Sequence, residues 1–247
     1  MKTTITRTVL TTLVLLLGLT FSSYAQTYYN VYLCDNGTVN LRPNEPNLAN
    51  SDKVYWYLDG NQVAVFTYSG TGSANYAVPA NLPVGPHNYT SRIESAAGCW
   101  GDLSDPFSVY KLPTKTLALS PPTNTTYCEG NSGSAANSQI TATASPASPL
   151  PDGIGYSYTW SATRNGTAVT PITDIGSDNA STTNQNVFTL TTVNPGSYVF
   201  SATVNYVLLP GNPGVLEQQN GCPVNATTTQ TITVTPKPGK PTISLAN

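Results

Sequence analysis

Histidine occurs once in the 247 residues, methionine once, and Asp, Glu, Lys and Arg together make up only 9%. A single histidine excludes His-rich metal centres and leaves His87 as the one imidazole base available to a Ser-His-Asp arrangement; no G-x-S-x-G elbow presents a nucleophile. The four cysteines, at positions 34, 99, 128 and 222, form no C-x-x-C pair, so the close ligand spacing of a structural zinc site is missing. Basic runs are missing too, which removes the electrostatic footprint of a nucleic-acid binder. No glycine loop of the phosphate-cradling kind follows an apolar stretch.

Long apolar runs are confined to the start of the chain. Lys2 and Arg7 precede Val9 to Leu19, and Ser23-Tyr24-Ala25 supplies small residues at the positions a signal peptidase reads. The run falls short of the ~20 residues needed to cross a bilayer. Residues 1–25 are therefore predicted to be an export signal, cleaved after Ala25, with no membrane insertion of what remains. Beyond it, eight cations against twelve anions leave a net charge of −4.

What is present is a β composition: Thr, Ser, Asn, Gly, Pro and 15 Tyr, with Val, Ile, Tyr and Phe in period-two alternation between polar turns. One spacing occurs twice. Leu82-x-x-Gly85-x-His87-x-Tyr89-x-Ser91-x-Ile93 matches Val193-x-x-Gly196-x-Tyr198-x-Phe200-x-Ala202-x-Val204. Each copy has a tryptophan upstream, Trp56 or Trp160, and a cysteine on either side. The duplication predicts two all-β modules of the sandwich type, at residues 27–112 and 113–236. It also selects one disulfide per module, Cys34–Cys99 and Cys128–Cys222, in keeping with an oxidising compartment. Between Val204 and Cys222 the second copy carries twelve residues more than the first, including Pro210-Gly211-Asn212-Pro213-Gly214, and an extended hairpin or long loop is expected there. Residues 237–247 read as a Pro-rich linker followed by Thr242-Ile243-Ser244-Leu245, a likeness of Thr116-Leu117-Ala118-Leu119 and so the opening strand of a truncated third repeat.

The series Cys34 with Asn36-Gly37, Trp56-Tyr57-x-Asp59-Gly60, Leu82-x-x-Gly85 and Gly98-Cys99, repeated as Cys128-x-Gly130, Trp160, Val193-x-x-Gly196-x-Tyr198 and Asn220-Gly221-Cys222, resembles the Ig-like and PKD-like repeat modules of exported Bacteroidetes proteins. That resemblance implies two tandem Ig-like β-sandwich domains acting as spacers or adhesion units of surface or secreted assemblies.

Chemistry-bearing residues are weighed against this frame. His87 stands where the second copy has Tyr198, so it is expected to pin the chain after a turn glycine and not to act as a base. The carboxylates Asp35, Asp59, Asp152, Asp174 and Asp178 fall in predicted turns, where side chains bond local backbone. A paired acidic active site is the weaker reading, and Asp174-x-x-x-Asp178-Asn179 is the best stretch for a hard cation, without the spacing of a known loop. Trp56 and Trp160 are expected in the cores. Tyr55 and Tyr57 flank Trp56 and must point to the opposite face. Trp100, in a turn, is expected to be partly exposed. Tyr55, Tyr57 and Trp100 are thus the candidate ligand-binding residues, and Tyr28 and Tyr32 would extend them into a tyrosine strip if their strands are neighbours. The expected function is a non-catalytic, exported structural or adhesion module, extracellular or at the cell surface, with other extracellular proteins or glycans as partners and no cofactor or metal. A carbohydrate-binding accessory role is the alternative.

Overall fold

The computed structural model describes residues 27–146, 149–218 and 220–243. The predicted export signal lies outside them, as does the end of the tail from Ser244. The first module contributes β1 (Val31–Leu33), β2 (Asn40–Leu41), β3 (Lys53–Leu58), β4 (Asn61–Thr67), β5 (Tyr76–Ala77), β6 (Gly85–Glu94) and β7 (Phe107–Lys111). The second contributes β8 (Thr116–Leu119), β9 (Thr126–Cys128), β10 (Ser138–Ser145), β11 (Ile154–Arg164), β12 (Thr167–Ala168), β13 (Gly176–Asp178), β14 (Gln185–Leu190), β15 (Gly196–Leu208), β16 (Val215–Leu216), β17 (Val224–Asn225) and β18 (Gln230–Thr235).

In the second module one sheet runs β13-β14-β10-β8 and the other β12-β11-β15-β18-β9. β9 lies parallel to β18, whereas β15 is antiparallel to both β11 and β18. In immunoglobulin letters these are D-E-B-A and C′-C-F-G-A′, the two layers of an Ig-like sandwich. The first module repeats the scheme in reduced form. Its larger sheet runs β1-β7-β6-β3-β4, again A′-G-F-C-C′, over the short pair β2-β5. The chain is therefore all-β, two Ig-like sandwiches in series.

Alternation fills each core as the sequence requires. On β3, Val54 and Trp56 are buried while Lys53 points outward; on β15, Tyr198, Phe200, Ala202, Val204 and Tyr206 form an unbroken inward row. Both tryptophans lie in cores with their indole N–H satisfied. Trp56 Nε1 donates to the Ala74 carbonyl at 2.9 Å, and Trp160 Nε1 donates to Asn186 Oδ1 at 2.7 Å. A buried indole needs such an acceptor.

The joint departs from the expectation of one bridge per module. β7 ends at Lys111 and β8 starts at Thr116, so only four residues connect the sandwiches. The twelve-residue excess of the second module is an arm that reaches back over the first, where β16 pairs in parallel with β1, Val31 against Val215 and Tyr32 against Leu216. At its base the arm is held by a disulfide between Cys34 and Cys222, Cα atoms 6.3 Å apart, closing a span of 188 residues. Cys99 and Cys128 are free.

The pairings Cys34–Cys99 and Cys128–Cys222 fail for a geometric reason. Cys34 follows β1, whose end lies beside Lys111 and hence beside Gly85, the first residue of β6. Cys99 lies past Glu94, the last residue of β6. Ten residues of strand separate the two positions, about 30 Å, against a Cα reach of about 4.4–6.8 Å for a disulfide. In the second module β15 imposes the same separation between Cys128, beside Thr235, and Cys222, near Tyr206. Within a module the cysteines sit at opposite ends; across the joint, unlike ends meet.

Candidate binding surface and the clamped joint

The predicted ligand-binding residues lie on the outer face of the first module's larger sheet. Tyr55 pairs across with Arg92 on β6 and with Val65 on β4, and Tyr57 follows two residues later beside a bulge in the β3–β4 register. Trp100 reaches the same face because the chain after Cys99 turns back on β6, bridging Glu94. The Tyr55 and Trp100 rings are 4.7 Å apart at 44°, and the Arg92 guanidinium lies 4.9 Å from the Trp100 ring centre. Arg92 is oriented by donation from Nε to the Gly101 carbonyl at 2.8 Å.

Glu94 ties the polar side of this cluster. It accepts from the Tyr55 hydroxyl at 2.6 Å and from Lys53 Nζ at 3.3 Å. Donation to Glu94 pushes the Tyr55 hydroxyl up from its ordinary value, and the same bonds from Tyr55 and Lys53 hold the Glu94 carboxyl below its own. Trp100 is 47% exposed, and Val63 and Val65 on β4 add exposed apolar area beside Tyr55. The arrangement is a tilted aromatic pair with a cation over the Trp100 ring and a carboxylate bound to the Tyr55 hydroxyl.

The wider tyrosine strip does not form. β7 and β6 separate β1 from β3, and Tyr32 is fully buried beneath the arm. Its hydroxyl instead accepts from the Tyr29 N–H at 3.1 Å and from Asn212 Nδ2 at 3.0 Å, and its ring packs with Tyr29 and Tyr110. Sequence reasoning missed this cluster because its cover comes from 180 residues downstream. The surplus length at Pro210–Gly214 was the signal for it.

The joint also buries two lysines that carry no motif. Lys111 Nζ donates to the Ala80 carbonyl at 3.1 Å and to that of Asp35. Lys115 Nζ donates to the Gly221 carbonyl at 3.0 Å and to that of Cys222, and it stands 4.4 Å over the Tyr206 ring. Burial lowers the Lys115 ammonium to about 8, against a smaller opposing pull from the Asp35 charge. Cys34 N–H donates to Gln218 Oε1 at 3.1 Å, so backbone, side chain and disulfide fasten the same point.

Among the remaining chemical candidates, His87, Asp59 and Asp178 are held by hydrogen bonds within their own modules. His87 Nε2 is 2.9 Å from the Pro83 carbonyl and Nδ1 is 2.9 Å from Asp59 Oδ2. Tyr198, its repeat partner, likewise reaches back four residues, donating to the Asn194 carbonyl at 2.9 Å. Both rings thus pin the chain after a turn glycine. Burial alone would raise the Asp59 carboxyl, but donation from the Asn88 N–H and from His87 holds it below its ordinary value. Asp178 accepts from Asn186 Nδ2 at 2.9 Å, behind Trp160. Asp174 lines a depression of about 510 Å³ with Arg164 and Tyr198, and Asp178 lines another of about 240 Å³ with Trp160 and Phe188. Among the described residues no helix is long and apolar enough to cross a membrane, and no group of three or more His, Cys, Asp or Glu is placed to hold a metal.

No protein-family model matches the chain, and no curated protein matches it. Among solved structures it is similar to the fibronectin(III)-like modules of CbhA from Clostridium thermocellum, at 12% identity and a TM-score of 0.41 over 86% of this chain and 93% of that one. It is also similar to murine CEACAM1b, at 15% identity and a TM-score of 0.37 over 83% and 96%, and to the D1–D4 ectodomain fragment of ICAM-5, at 12% and 0.37 over 83% and 51%. The strand order itself assigns the fold: each half of the chain is an immunoglobulin-like β-sandwich.

Proposed function

We propose that the chain is a non-catalytic, exported structural or adhesion element of a cell-surface or secreted assembly. Its two sandwiches act as one stiff unit. The observation that carries this reading is the joint: a strand of the second module completes the first module's sheet, and a disulfide fixes the arm that supplies it. Four linking residues with no flexible run between the sandwiches hold spacing and orientation, which is what a spacer or a presenting module needs. The disulfide fits an oxidising compartment, as the predicted signal requires. The pinned roles of His87, Asp59 and Asp178 support a scaffold over an acid–base site. Kinship with the PKD-like modules of exported Bacteroidetes proteins belongs to the same reading.

Small-angle scattering of the chain without its signal tests the stiffness. One inter-module arrangement is expected in the oxidised protein, widening to a distribution in a Cys34→Ser/Cys222→Ser variant. A broad distribution in the oxidised protein would remove the reading.

A second reading is favoured by the Tyr55–Trp100 pair. The half-exposed Trp100 ring, inclined to Tyr55 and carrying Arg92 over one face, can pack against a sugar ring while Arg92 and Glu94 bond its hydroxyls. Retention on immobilised polysaccharides, lost in Tyr55→Ala/Trp100→Ala, would establish this role. Equal retention of the variant would end it.

A further inference from the structure

An arginine ends the core-facing row of β11. Trp160 and Ala162 precede it on that row, both buried, and Arg164 stands opposite the fully buried Tyr198 of β15. The first module has no such residue. Its C–C′ hairpin turns at Gly60, four residues past Trp56, and its row ends on Leu58 opposite Tyr89. The second turns at Gly166, six residues past Trp160, and the longer hairpin carries the extra position.

A charge on a core-facing row needs partners. Arg164 Nη2 donates to the Pro195 carbonyl at 2.7 Å, and the guanidinium lies 5.9 Å from the Tyr198 ring centre. Nε is buried without an acceptor, and among the described residues no carboxylate comes within ion-pair distance of Arg164. One acceptor thus serves a group with five N–H donors. Gly196 makes room for it. The φ of Gly196 is not left-handed, yet a Cβ there would stand 3.0 Å from Arg164 Nε and 3.3 Å from Asn165 Nδ2. The close approach of the guanidinium, not the backbone conformation, requires that glycine. Asn165 Oδ1 accepts from the Ser197 N–H at 2.9 Å, which leaves the amide N–H₂ beside Arg164 as a further donor.

Arg164 and Asn165 border a depression of about 510 Å³ beside the C–C′ turn. Val169, Ile175 and the Tyr198 ring give it apolar walls, and the exposed Asp174 stands at its rim. Apolar walls with a few convergent donors, at that volume, are the form of a small-molecule site. The charges select the ligand. A guanidinium matches the planar oxygens of a carboxylate. Asp174 repels a dianion such as sulfate more than a singly charged acid, and the walls favour an aliphatic body.

We propose that this depression binds a small organic acid with one carboxylate and an apolar body, held by Arg164 and Asn165. The site lies apart from the joint and from the Tyr55–Trp100 surface, so it stands or falls independently of both readings above.

Isovalerate is the probe, titrated at constant ionic strength into the isotope-labelled chain without its signal while the Arg164 Nε–H resonance is followed. A saturable shift is expected. Acetate, which lacks the aliphatic body, should bind about tenfold more weakly, and uncharged methyl isovalerate should give no shift. Isovalerate should also raise the melting temperature, and Arg164→Met should abolish that rise. Arg164→Lys, which keeps the charge without the planar fork, should weaken binding about tenfold. An Arg164 resonance that isovalerate does not move would overturn the proposal whatever the variants do. So would sulfate or acetate binding as tightly as isovalerate, or a rise in melting temperature that survives in Arg164→Met.

Discussion

The Lys115 ammonium stands 4.4 Å over the ring of Tyr206, buried at the joint with two carbonyls of the second module as its acceptors. Among the described residues no carboxylate makes an ion pair with it, and the charge comes at a desolvation cost that lowers its pKa to about 8.

That cost has a pH signature. Between pH 8 and the ordinary lysine value of 10.5 the unfolded chain holds a proton that the folded chain has released, so this group makes stability rise with pH in that window. Denaturant titrations at pH 7.5 and 9.5 should show a gain of about 1–2 kcal/mol from this source. Lys115→Met should remove the gain, and an unchanged pH dependence in that variant would refute the assignment.

The disulfide closes a far longer loop than either intra-module pairing would. In the chain-entropy model a 188-residue span is worth about 5 kcal/mol. Cys34→Ser/Cys222→Ser should therefore lower the unfolding free energy by several kcal/mol, measured by guanidinium titration. Cys99→Ser should leave it within ~0.5 kcal/mol, as for other exposed sites.

Gly214 sits where the arm meets the first module. A Cβ there would overlap the Tyr29 carbonyl and press on the Tyr32 ring. Gly214→Val should lift β16 from β1 while leaving the disulfide formed. Hydrogen exchange reads this directly: the Val215 and Glu217 amides, which donate to the Asn30 and Tyr32 carbonyls, should lose protection, and the β11–β15 amides should not.

Asn186 is buried and links Trp160 to Asp178. Asn186→Ala leaves the indole N–H without an acceptor and should cost about 1–3 kcal/mol. Asp178→Asn keeps an oxygen acceptor and should cost less. The ordering of the two in thermal unfolding is the check, and the reverse ordering would move the weight to Asp178.

Much of this was legible in the chain. Period-two alternation in Val54-Tyr55-Trp56-Tyr57 decides which side chains face in, because a strand permits only two faces. The duplicated spacing after Gly85 and Gly196 identified two modules and gave His87 the role of Tyr198, since equal positions in equal strands meet equal surroundings. The surplus residues before Cys222 marked the place of the arm, though not its destination.

The tertiary structure alone decided the cysteine pairing, the burial of Tyr32 and the meeting of Tyr55 with Trp100. The repeat shows which positions are equivalent, but a disulfide needs two positions to be adjacent, and adjacency depends on how far apart a ten-residue strand holds its ends and on which module stands next. Composition and spacing fixed each sandwich from within. What passes between the sandwiches depends on contacts some 180 residues apart in sequence, which only the assembled fold brings together.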